Sequence, residues 1–480
     1  MSGPVVLLSG LLLLVVLAGC APNPVTGRQD FVMMSEAQEL TLGRQASQQL
    51  EQQLSMVEDE ALQAYVQGVG QRLAQVSHRS SLDYRFRVVD SADVNAFALP
   101  GGHIYIHRGL LAYLNSEAEL AAVLGHELGH VTARHGVRQQ SMAMGTGLLS
   151  DLLTIGTGVR AAGDLSNILG TAMVRGYGRE MELEADGLGA EYLARTGYRP
   201  QAMLSVIGVL KDQDDYHRQR AAAEGREVAG YHGLFATHPT HDQRLRQVVA
   251  RAEALAGDQT QHDGIEEYLK AVDGLVYGSS AREGIVRGSQ FFHVELDLAL
   301  SYPQGWVLVN RPDVLLAHTP DQQGFIALVL ERLSRPLTAE ELLRQRAGNQ
   351  RLVQERAFSG PGYQGYMAII PGNQARRVAA IVRGEQAFLF VAGFRGRGPL
   401  ELYDADFVEV IGSFRALEAS ERAQAEPLRI RLRRARAGDN YASLAQSSPL
   451  GEEAEARLRL LNGHWPTGEP VVGQWLKVVK

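Results

Sequence analysis

The sequence predicts a multi-domain protein with three parts: a mainly α-helical domain with a small β-sheet, an α+β domain, and a small module with the element order βααβ. With 480 residues, of which 45% are hydrophobic and 21% charged, the chain is long enough for two to four globular domains. Apolar residues recur at helical spacing in the first half of the chain, and short alternating runs begin at about Val286. A polar stretch at 418–427 then separates residues 428–480 as the last module.

The charge and cysteine content exclude two classes of protein. The formal net charge is -7 and there is no long basic block, so nucleic acid is not expected as a partner. Cys20 is the only cysteine, which excludes a disulfide-stabilised scaffold.

The first 20 residues are predicted to be a lipoprotein signal peptide. The apolar run from Val5 to Ala18 has the length of a signal-peptide core, and it leads into Leu17-Ala18-Gly19-Cys20, which resembles the bacterial lipobox. The resemblance implies lipidation of Cys20, with residues 21–34 as a tether to the bilayer, and Ala21 implies an outer-membrane lipoprotein that faces the periplasm. The alternative is a buried apolar N-terminus with an incidental cysteine.

A helical run from Leu120 to His135 carries the motif His-Glu-x-x-His. His126 and His130 are four residues apart, so on a helix both imidazoles lie on one face and can bind one metal ion. Glu127 stands where a general base can hold a water molecule against that metal. The pattern predicts a zinc site with one zinc ion per chain.

A third protein ligand is expected from a second helix that opens near Glu182. Asp186 lies one turn further on and can accept a hydrogen bond from the second ring nitrogen of a zinc-bound histidine. Glu184 is the alternative ligand, although it points away from Asp186 and is expected to be solvated. His135 is about 140° round a continuous helix from His130, so we interpret it as a structural or surface residue.

Two further segments have patterns that predict secondary structure. Residues 95–106 predict a strand, a glycine turn and a second strand, with the first strand at a sheet edge. The stretch from Ser141 to Val174 is rich in Met, Leu, Gly and Ala, which favours amphipathic helices that cover the cleft as a movable lid or as a flap that contacts the membrane. Two core helices are the alternative interpretation of that stretch.

Four separated motifs together resemble the HtpX and CAAX-prenyl-protease family of gluzincin zinc endopeptidases, in its lipoprotein and periplasmic branch. The motifs are His126-Glu-Leu-Gly-His130, the Asn95-Ala-Phe-Ala-Leu-Pro-Gly-Gly run, Glu182-x-x-x-Asp186, and Thr237-His238-Pro with Arg244. The resemblance implies a zincin-like metallopeptidase domain at residues 35–275.

The same resemblance implies a role for each site residue. Zinc would bind His126, His130 and Glu182, and Glu127 would act as the general base. His238 and Arg244 would face the metal and stabilise the oxyanion, with Asp186 supporting a ligating histidine. The strand residues that would pair with an extended substrate are Asn95, Ala96, Phe97 and Ala98.

The two remaining parts carry weaker resemblances. Residues 286–417 resemble PsbP or Mog-type modules in Tyr302-Pro-Gln-Gly-Trp306 and in Ser413-Phe-Arg415. Residues 428–480 resemble a LysM module, with Asn440 and Val472 where that family has Thr and Pro. The LysM resemblance implies peptidoglycan as a partner of the C-terminal module.

The leading hypothesis is a zinc endopeptidase of the bacterial cell envelope that cleaves unfolded or misassembled envelope polypeptides. A zinc-containing chaperone or binding protein of the periplasm is the first alternative. A peptidoglycan hydrolase, suggested by the LysM-like tail, is the second.

Overall fold

A computed structural model of the chain describes residues 20–142, 177–223, 242–256, 261–310, 314–396 and 398–480, and these form two compact units. The first unit comprises Met1–Tyr277 together with Arg429–Lys480, and the second comprises Gly278–Leu428. Over the described ranges, the structure contains no helix that is both long enough and apolar enough to span a bilayer.

The first unit is mainly helical with short strands, as the sequence predicts. Its elements up to residue 277 are β1 (Cys20–Pro22), β2 (Gln29–Phe31), α1 (Glu36–Gln53), α2 (Glu60–Gln75), β3 (Arg85–Val89), β4 (Ala96–Leu99), β5 (His103–His107), α3 (Arg108–Tyr113), α4 (Glu117–Thr132), α5 (Arg179–Thr196), α6 (Ala202–Ala223), α7 (Asp242–Ala256), α8 (Ile265–Val272) and β6 (Val276–Tyr277). The predicted capping box at the start of α1 is confirmed, because Ser35 Oγ accepts from Gln38 N while Gln38 Oε1 accepts from Ser35 N.

A small mixed sheet stands beside the helices, with the strand order β3-β5-β4. Strand β5 pairs in parallel with β3 and antiparallel with β4. Gly101 and Gly102 in the β4–β5 turn have φ of 80° and 99°, a backbone region that glycine adopts without a steric penalty. Within the described residues β4 is an edge strand, in agreement with its prediction.

Helices α4 and α5 approach each other closely because small residues line their contact. A Cβ added to Gly129 would lie 2.8 Å from the carbonyl oxygen of Ala185, and one added to Gly189 would lie 3.0 Å from the backbone nitrogen of His126. Only glycine fits at such a contact without moving one of the helices. This packing brings the helix with His126 and His130 against the helix with Glu182.

The second unit is an α+β structure, as the sequence predicts. Its elements are β7 (Ile285–Arg287), β8 (Gln290–His293), β9 (Leu298–Ser301), β10 (Val307–Asn310), β11 (Leu315–His318), β12 (Gly324–Arg332), α9 (Ala339–Ala347), β13 (Val353–Gly360), β14 (Tyr363–Ile370), β15 (Arg376–Arg383), β16 (Gln386–Phe394) and α10 (Asp404–Gly412). Strands β10 to β16 form one antiparallel sheet in the order β10-β11-β12-β16-β15-β14-β13, and β7, β8 and β9 form another. Helix α10 packs its apolar residues into the core on one face of the large sheet, and α9 covers the other face.

The C-terminal segment has the predicted order of strand, two helices and strand, but it is not a separate unit. Its elements are β17 (Leu428–Arg434), α11 (Tyr441–Ala445), α12 (Ala454–Leu461) and β18 (Trp475–Val479). Strands β18 and β17 form a three-stranded sheet with β6, so Arg429–Lys480 clusters with the first unit. A module of about 50 residues buries little apolar surface alone, and pairing with β6 adds to that surface. The LysM-like assignment and the predicted domain boundaries stay predictions.

A buried lysine of β18 ties this segment to the start of helix α4. Lys477 Nζ donates to the carbonyl oxygens of Ala112 and Leu114, at 2.6 and 2.7 Å. These carbonyls directly precede Ser116, whose hydroxyl caps α4 by accepting from Glu119 N. Burial lowers the pKa of Lys477 to about 7 from its ordinary value of 10.5.

We expect Lys477 to make the stability of the first unit depend on pH. Between about pH 7 and 10.5 the unfolded lysine holds a proton that the folded one lacks, so the contribution of Lys477 to the free energy of unfolding rises with pH across this window. Lys477→Met should flatten the rise, because methionine binds no proton. Urea unfolding at a series of pH values measures it, followed by the fluorescence of Trp465 and Trp475 in a Trp306→Phe background.

The control for this experiment is Lys270→Met, on the exposed surface of α8. It should leave the pH dependence of the unfolding free energy as it is in the parent chain. An equal rise with pH in the Lys477→Met and Lys270→Met proteins would contradict the assignment to Lys477.

Candidate active site

Three side chains predicted as metal ligands lie together in the interior of the first unit. His126 and His130 come from helix α4 and Glu182 from the first turn of α5, and one ligand atom of each lies within 4.8 Å of the others. The two Nε2 atoms are 3.0 Å apart. The Glu182 carboxylate oxygens lie 3.4 Å from His126 Nε2 and 3.6 Å from His130 Nε2.

The donor atoms of this cluster fit a zinc ion. In a tetrahedral zinc site with bonds of 2.0–2.1 Å, neighbouring ligand atoms are about 3.3 Å apart. The two Nε2 atoms are 3.0 Å apart, and each has a different Glu182 oxygen near that distance, Oε2 at 3.4 Å from His126 and Oε1 at 3.6 Å from His130. Burial opposes a charged His126 imidazole, but the Asp186 and Glu182 carboxylates outweigh it and raise its pKa well above the usual range. The site therefore favours positive charge at the position where a cation would bind.

The sequence predicts two further acidic residues beside the cluster, Glu127 and Asp186. Glu127 follows His126 on α4 and its side chain is buried. Asp186 Oδ1 lies 2.8 Å from His126 Nδ1, the ring nitrogen on the far side from the other ligands. This is the contact that the spacing of Glu182 and Asp186 on one helix face predicts.

Glu184 lies outside the cluster, and its predicted solvated position is wrong. It is half-buried, with Oε2 3.1 Å from His135 Nε2 and 2.8 Å from Arg138 Nη1. Burial would raise the pKa of Glu184, but its hydrogen bonds to His135 and Arg138 lower the pKa to about 2. The carboxylate is therefore ionised at neutral pH and is held by these two partners.

His135 is fully buried beside His130, and the predicted rotation of about 140° does not apply to it. Helix α4 ends at Thr132, and Arg134 takes a left-handed conformation with φ of 56° before a helical stretch resumes at His135. This bend turns the His135 ring back towards α4, where its Nδ1 lies 2.8 Å from His130 Nδ1. Burial lowers the pKa of His135 despite the adjacent Glu184 carboxylate, so the imidazole is neutral near pH 7.

Tyr177 is a site residue that the sequence analysis missed. Its ring stacks on the His130 imidazole with centroids 4.1 Å apart and an interplanar angle of 19°. Burial and the Glu127 and Glu182 carboxylates raise the pKa of the Tyr177 hydroxyl, which keeps it protonated. Tyr177 lies five residues before Glu182 in the sequence, but no motif includes it.

The edge strand β4 lies close to His130 and Tyr177. Ala98 and Leu99 line one pocket with His130, Val131 and Tyr177. The backbone edge of β4 therefore flanks the candidate metal site, with Asn95 directly before the strand and its Oδ1 accepting from Ala96 N.

Several predicted site features lie beyond the described residues. These are His238, most of the Ser141–Val174 stretch, and the side chains of Cys20 and Arg244. The backbone of Arg244 lies in helix α7, and that of Cys20 lies in β1. The roles predicted for all four stay predictions.

One solved structure covers part of the chain but assigns no fold. It is the solution structure of cyanobacterial PsbP from Synechocystis, with 13% sequence identity over 29% of this chain and 98% of that protein. The TM-score of 0.22 is too low to support the predicted PsbP-like or Mog-like fold, which stays a prediction.

Two bacterial proteases are similar in sequence to about half of the chain. The beta-barrel assembly-enhancing protease of Yersinia pestis is 32% identical over 257 residues, 52% of this chain and 50% of that protein. The protein of the same name in Escherichia coli K12 is 31% identical over 233 residues, 46% of this chain and 45% of its own length. The chain thus spans about half the length of these bacterial relatives.

A mitochondrial protein is covered more completely. The metalloendopeptidase OMA1 of Saccharomyces cerevisiae is 30% identical over 242 residues, which is 47% of this chain and 67% of OMA1. Residues 60–252 match peptidase family M48, and this range contains all three clustered ligands and Glu127. The chain belongs to peptidase family M48.

Proposed function

We propose that the chain is a zinc-dependent endopeptidase that acts in the quality control of bacterial envelope proteins. The observation that carries the proposal is the buried cluster of His126, His130 and Glu182 with Glu127 beside it on α4. These three side chains would hold one zinc ion per chain, which would supply a water of lowered pKa and polarise the substrate carbonyl. A general base next to such a cluster is what peptide hydrolysis needs.

The surrounding residues move the proton and hold the ligands. Glu127 takes the proton from the attacking water and delivers it to the leaving amine. Asp186 accepts a hydrogen bond from His126 Nδ1–H, which keeps the Nε2 lone pair directed at the cluster. His238 and Arg244 are proposed to stabilise the negative charge that develops on the carbonyl oxygen.

The substrates are proposed to be unfolded or misassembled envelope polypeptides. The edge of β4 offers backbone donors and acceptors, so an extended chain can add to the sheet at Asn95, Ala96, Phe97 and Ala98 with little sequence selectivity. Unfolded chains expose long stretches of unpaired backbone, whereas most backbone groups of a folded protein are already hydrogen-bonded. The name of the bacterial relatives, beta-barrel assembly-enhancing protease, supports substrates of this kind.

The proposed location is the outer membrane, facing the periplasm. It rests on the lipobox-like run that ends in Cys20, through which the chain would be attached to the bilayer. Peptidoglycan is proposed as a further partner of residues 428–480, on their LysM-like sequence.

Zinc-dependent cleavage of an unfolded protein tests the proposed activity. The purified chain should cut casein and leave native lysozyme intact, because only casein offers extended backbone. EDTA should stop cleavage and added zinc should restore it, whereas His126→Ala should bind no zinc and stay inactive. A chain that binds zinc and holds casein without cutting it would instead be a zinc-containing chaperone. Release of muropeptides from purified sacculi would indicate a peptidoglycan hydrolase.

A further inference from the structure

We propose that His135 and Glu184 form a hydrogen-bonded pair that orients His130 for metal binding, in the way that Asp186 orients His126. The inference deepens the proposed function and rests on it, since it takes His130 to be a zinc ligand. From the sequence, His135 is interpreted as a structural or surface residue, and Glu184 is considered only as an alternative metal ligand.

Both ligating imidazoles are oriented in the same way. Each directs Nε2 towards the cluster, where the two nitrogens lie 3.0 Å apart, and each directs Nδ1 away from it. The outward nitrogen of His126 meets Asp186 Oδ1 at 2.8 Å. That of His130 meets His135 Nδ1 at 2.8 Å, and His135 Nε2 continues to Glu184 Oε2 at 3.1 Å. The second ligand thus has a carboxylate partner too, but through one further ring.

The hydrogen-bond chemistry allows one arrangement of protons along this path. Binding of a metal through Nε2 leaves the proton of His130 on Nδ1, so Nδ1 of His135 must accept it. The proton of the His135 ring is then on Nε2, which donates to Glu184 Oε2. His130 Nε2 is left with its lone pair directed at the cluster, as metal ligation requires. The carboxylate therefore favours the tautomers of both rings that metal binding requires.

Glu184, at the outer end of the path, is linked through Arg138 to Asp30 in strand β2. Arg138 Nη1 donates to Glu184 Oε2 at 2.8 Å, while its Nε lies 3.3 Å from Asp30 Oδ2 in β2. Asp30 in turn accepts from Asn23 Nδ2 at 2.7 Å. Glu184 is therefore held from two sides, by a guanidinium and by the imidazole that it orients.

The backbone bend after α4 is what places His135 in this path. In a continuous helix, His135 would lie about 140° from His130 and could not reach its ring. Arg134 makes the turn with φ of 56° and is fixed there, because its Nε donates to Glu39 Oε2 at 2.8 Å and its Nη2 donates to Met34 O at 3.0 Å. A non-glycine residue in this conformation is costly and needs such support.

Zinc affinity of the full-length chain tests the proposal independently of activity. Measured by competition with a chromophoric chelator, His135→Ala should weaken zinc binding by about 10–100-fold. Glu184→Gln should weaken it less, because glutamine keeps an oxygen that accepts from His135 but loses the negative charge. His135→Asn should weaken it less than His135→Ala, since asparagine Oδ1 can replace Nδ1 as the acceptor for His130. Two matched controls should stay within about twofold of the parent chain, as neither touches a ligand. The first control is His78→Ala, which loses a 2.9 Å hydrogen bond to Tyr192 on α5. The second is Glu191→Gln, which loses an ion pair on α5; the Glu191 side chain is about as exposed as that of Glu184.

A double variant separates an orienting role from a loss of packing. If the two residues act through one path, His135→Ala combined with Glu184→Gln should bind zinc no more weakly than His135→Ala alone. The visible spectrum of the cobalt-substituted Glu184→Gln protein should also shift, because the geometry of the His130 ligand changes. Two results would overturn the proposal if the parent chain still bound zinc and cleaved casein. One is that the losses of zinc affinity from the two substitutions add in the double variant. The other is that the variants bind zinc as tightly as the parent chain. Failure of the parent chain itself to bind zinc would instead remove the proposed function.

Discussion

Replacing Glu127 with glutamine is expected to lower kcat for casein cleavage by about 10²–10⁴-fold, with the zinc content unchanged. Glutamine has the size and shape of glutamate, so the buried site should keep its packing. An amide cannot accept a proton at neutral pH, so the attacking water keeps its proton and the leaving amine receives none. The measurement is the initial rate of peptide release from casein, together with zinc analysis of the same protein.

The matched control is Glu119→Gln, two turns earlier on the same helix. Glu119 Oε2 accepts from Asn115 N at 2.6 Å, and a glutamine oxygen can still accept this hydrogen bond. Its casein cleavage rate should stay within about twofold of that of the parent chain. Undiminished cleavage by a zinc-loaded Glu127→Gln protein would show that another group transfers the proton, and the assigned role of Glu127 would be wrong.

The spacing of the candidate site residues within each helix could be predicted because local geometry determines it. A spacing of four residues places His126 and His130 on one face of any helix, and the same spacing places Asp186 beside Glu182. Glycine at the α4–α5 contact then permits the close approach of the two helices. The capping box at Ser35 was predictable for the same reason, since its partners are three residues apart.

The outer partners of the site could not be predicted in this way. Glu184 and His135 meet because Arg134 adopts a left-handed conformation. An arginine rarely adopts this conformation, and the sequence around Arg134 does not indicate it. Tyr177 stacks on His130 through a contact between residues 47 positions apart (177 minus 130) that no local pattern encodes. The joining of residues 429–480 to the first unit depends on β6, a strand of two residues that is too short to show alternation.

Removing Glu39 is expected to destabilise the first unit by about 3–5 kcal/mol, because it leaves two buried guanidinium groups without their common partner. Glu39 is 1% exposed, with Oε1 2.8 Å from Arg79 Nη1 and Oε2 2.8 Å from Arg134 Nε. Glu36→Ala is the matched control, since Glu36 binds the same Arg79 from the same helix but has a side chain that is 62% exposed. Its loss should cost less than about 1 kcal/mol.

The two variants are compared by urea unfolding, followed by Trp465 and Trp475 fluorescence in the Trp306→Phe background so that only the first unit is observed. Equal losses in the free energy of unfolding would contradict the ranking by burial. Glu39→Ala should also weaken zinc binding, whereas Glu36→Ala should not, because Glu39 holds Arg134 in the bend that brings His135 to His130. The buried ion cluster would then contribute to the geometry of the metal site as well as to the stability of the unit that carries it.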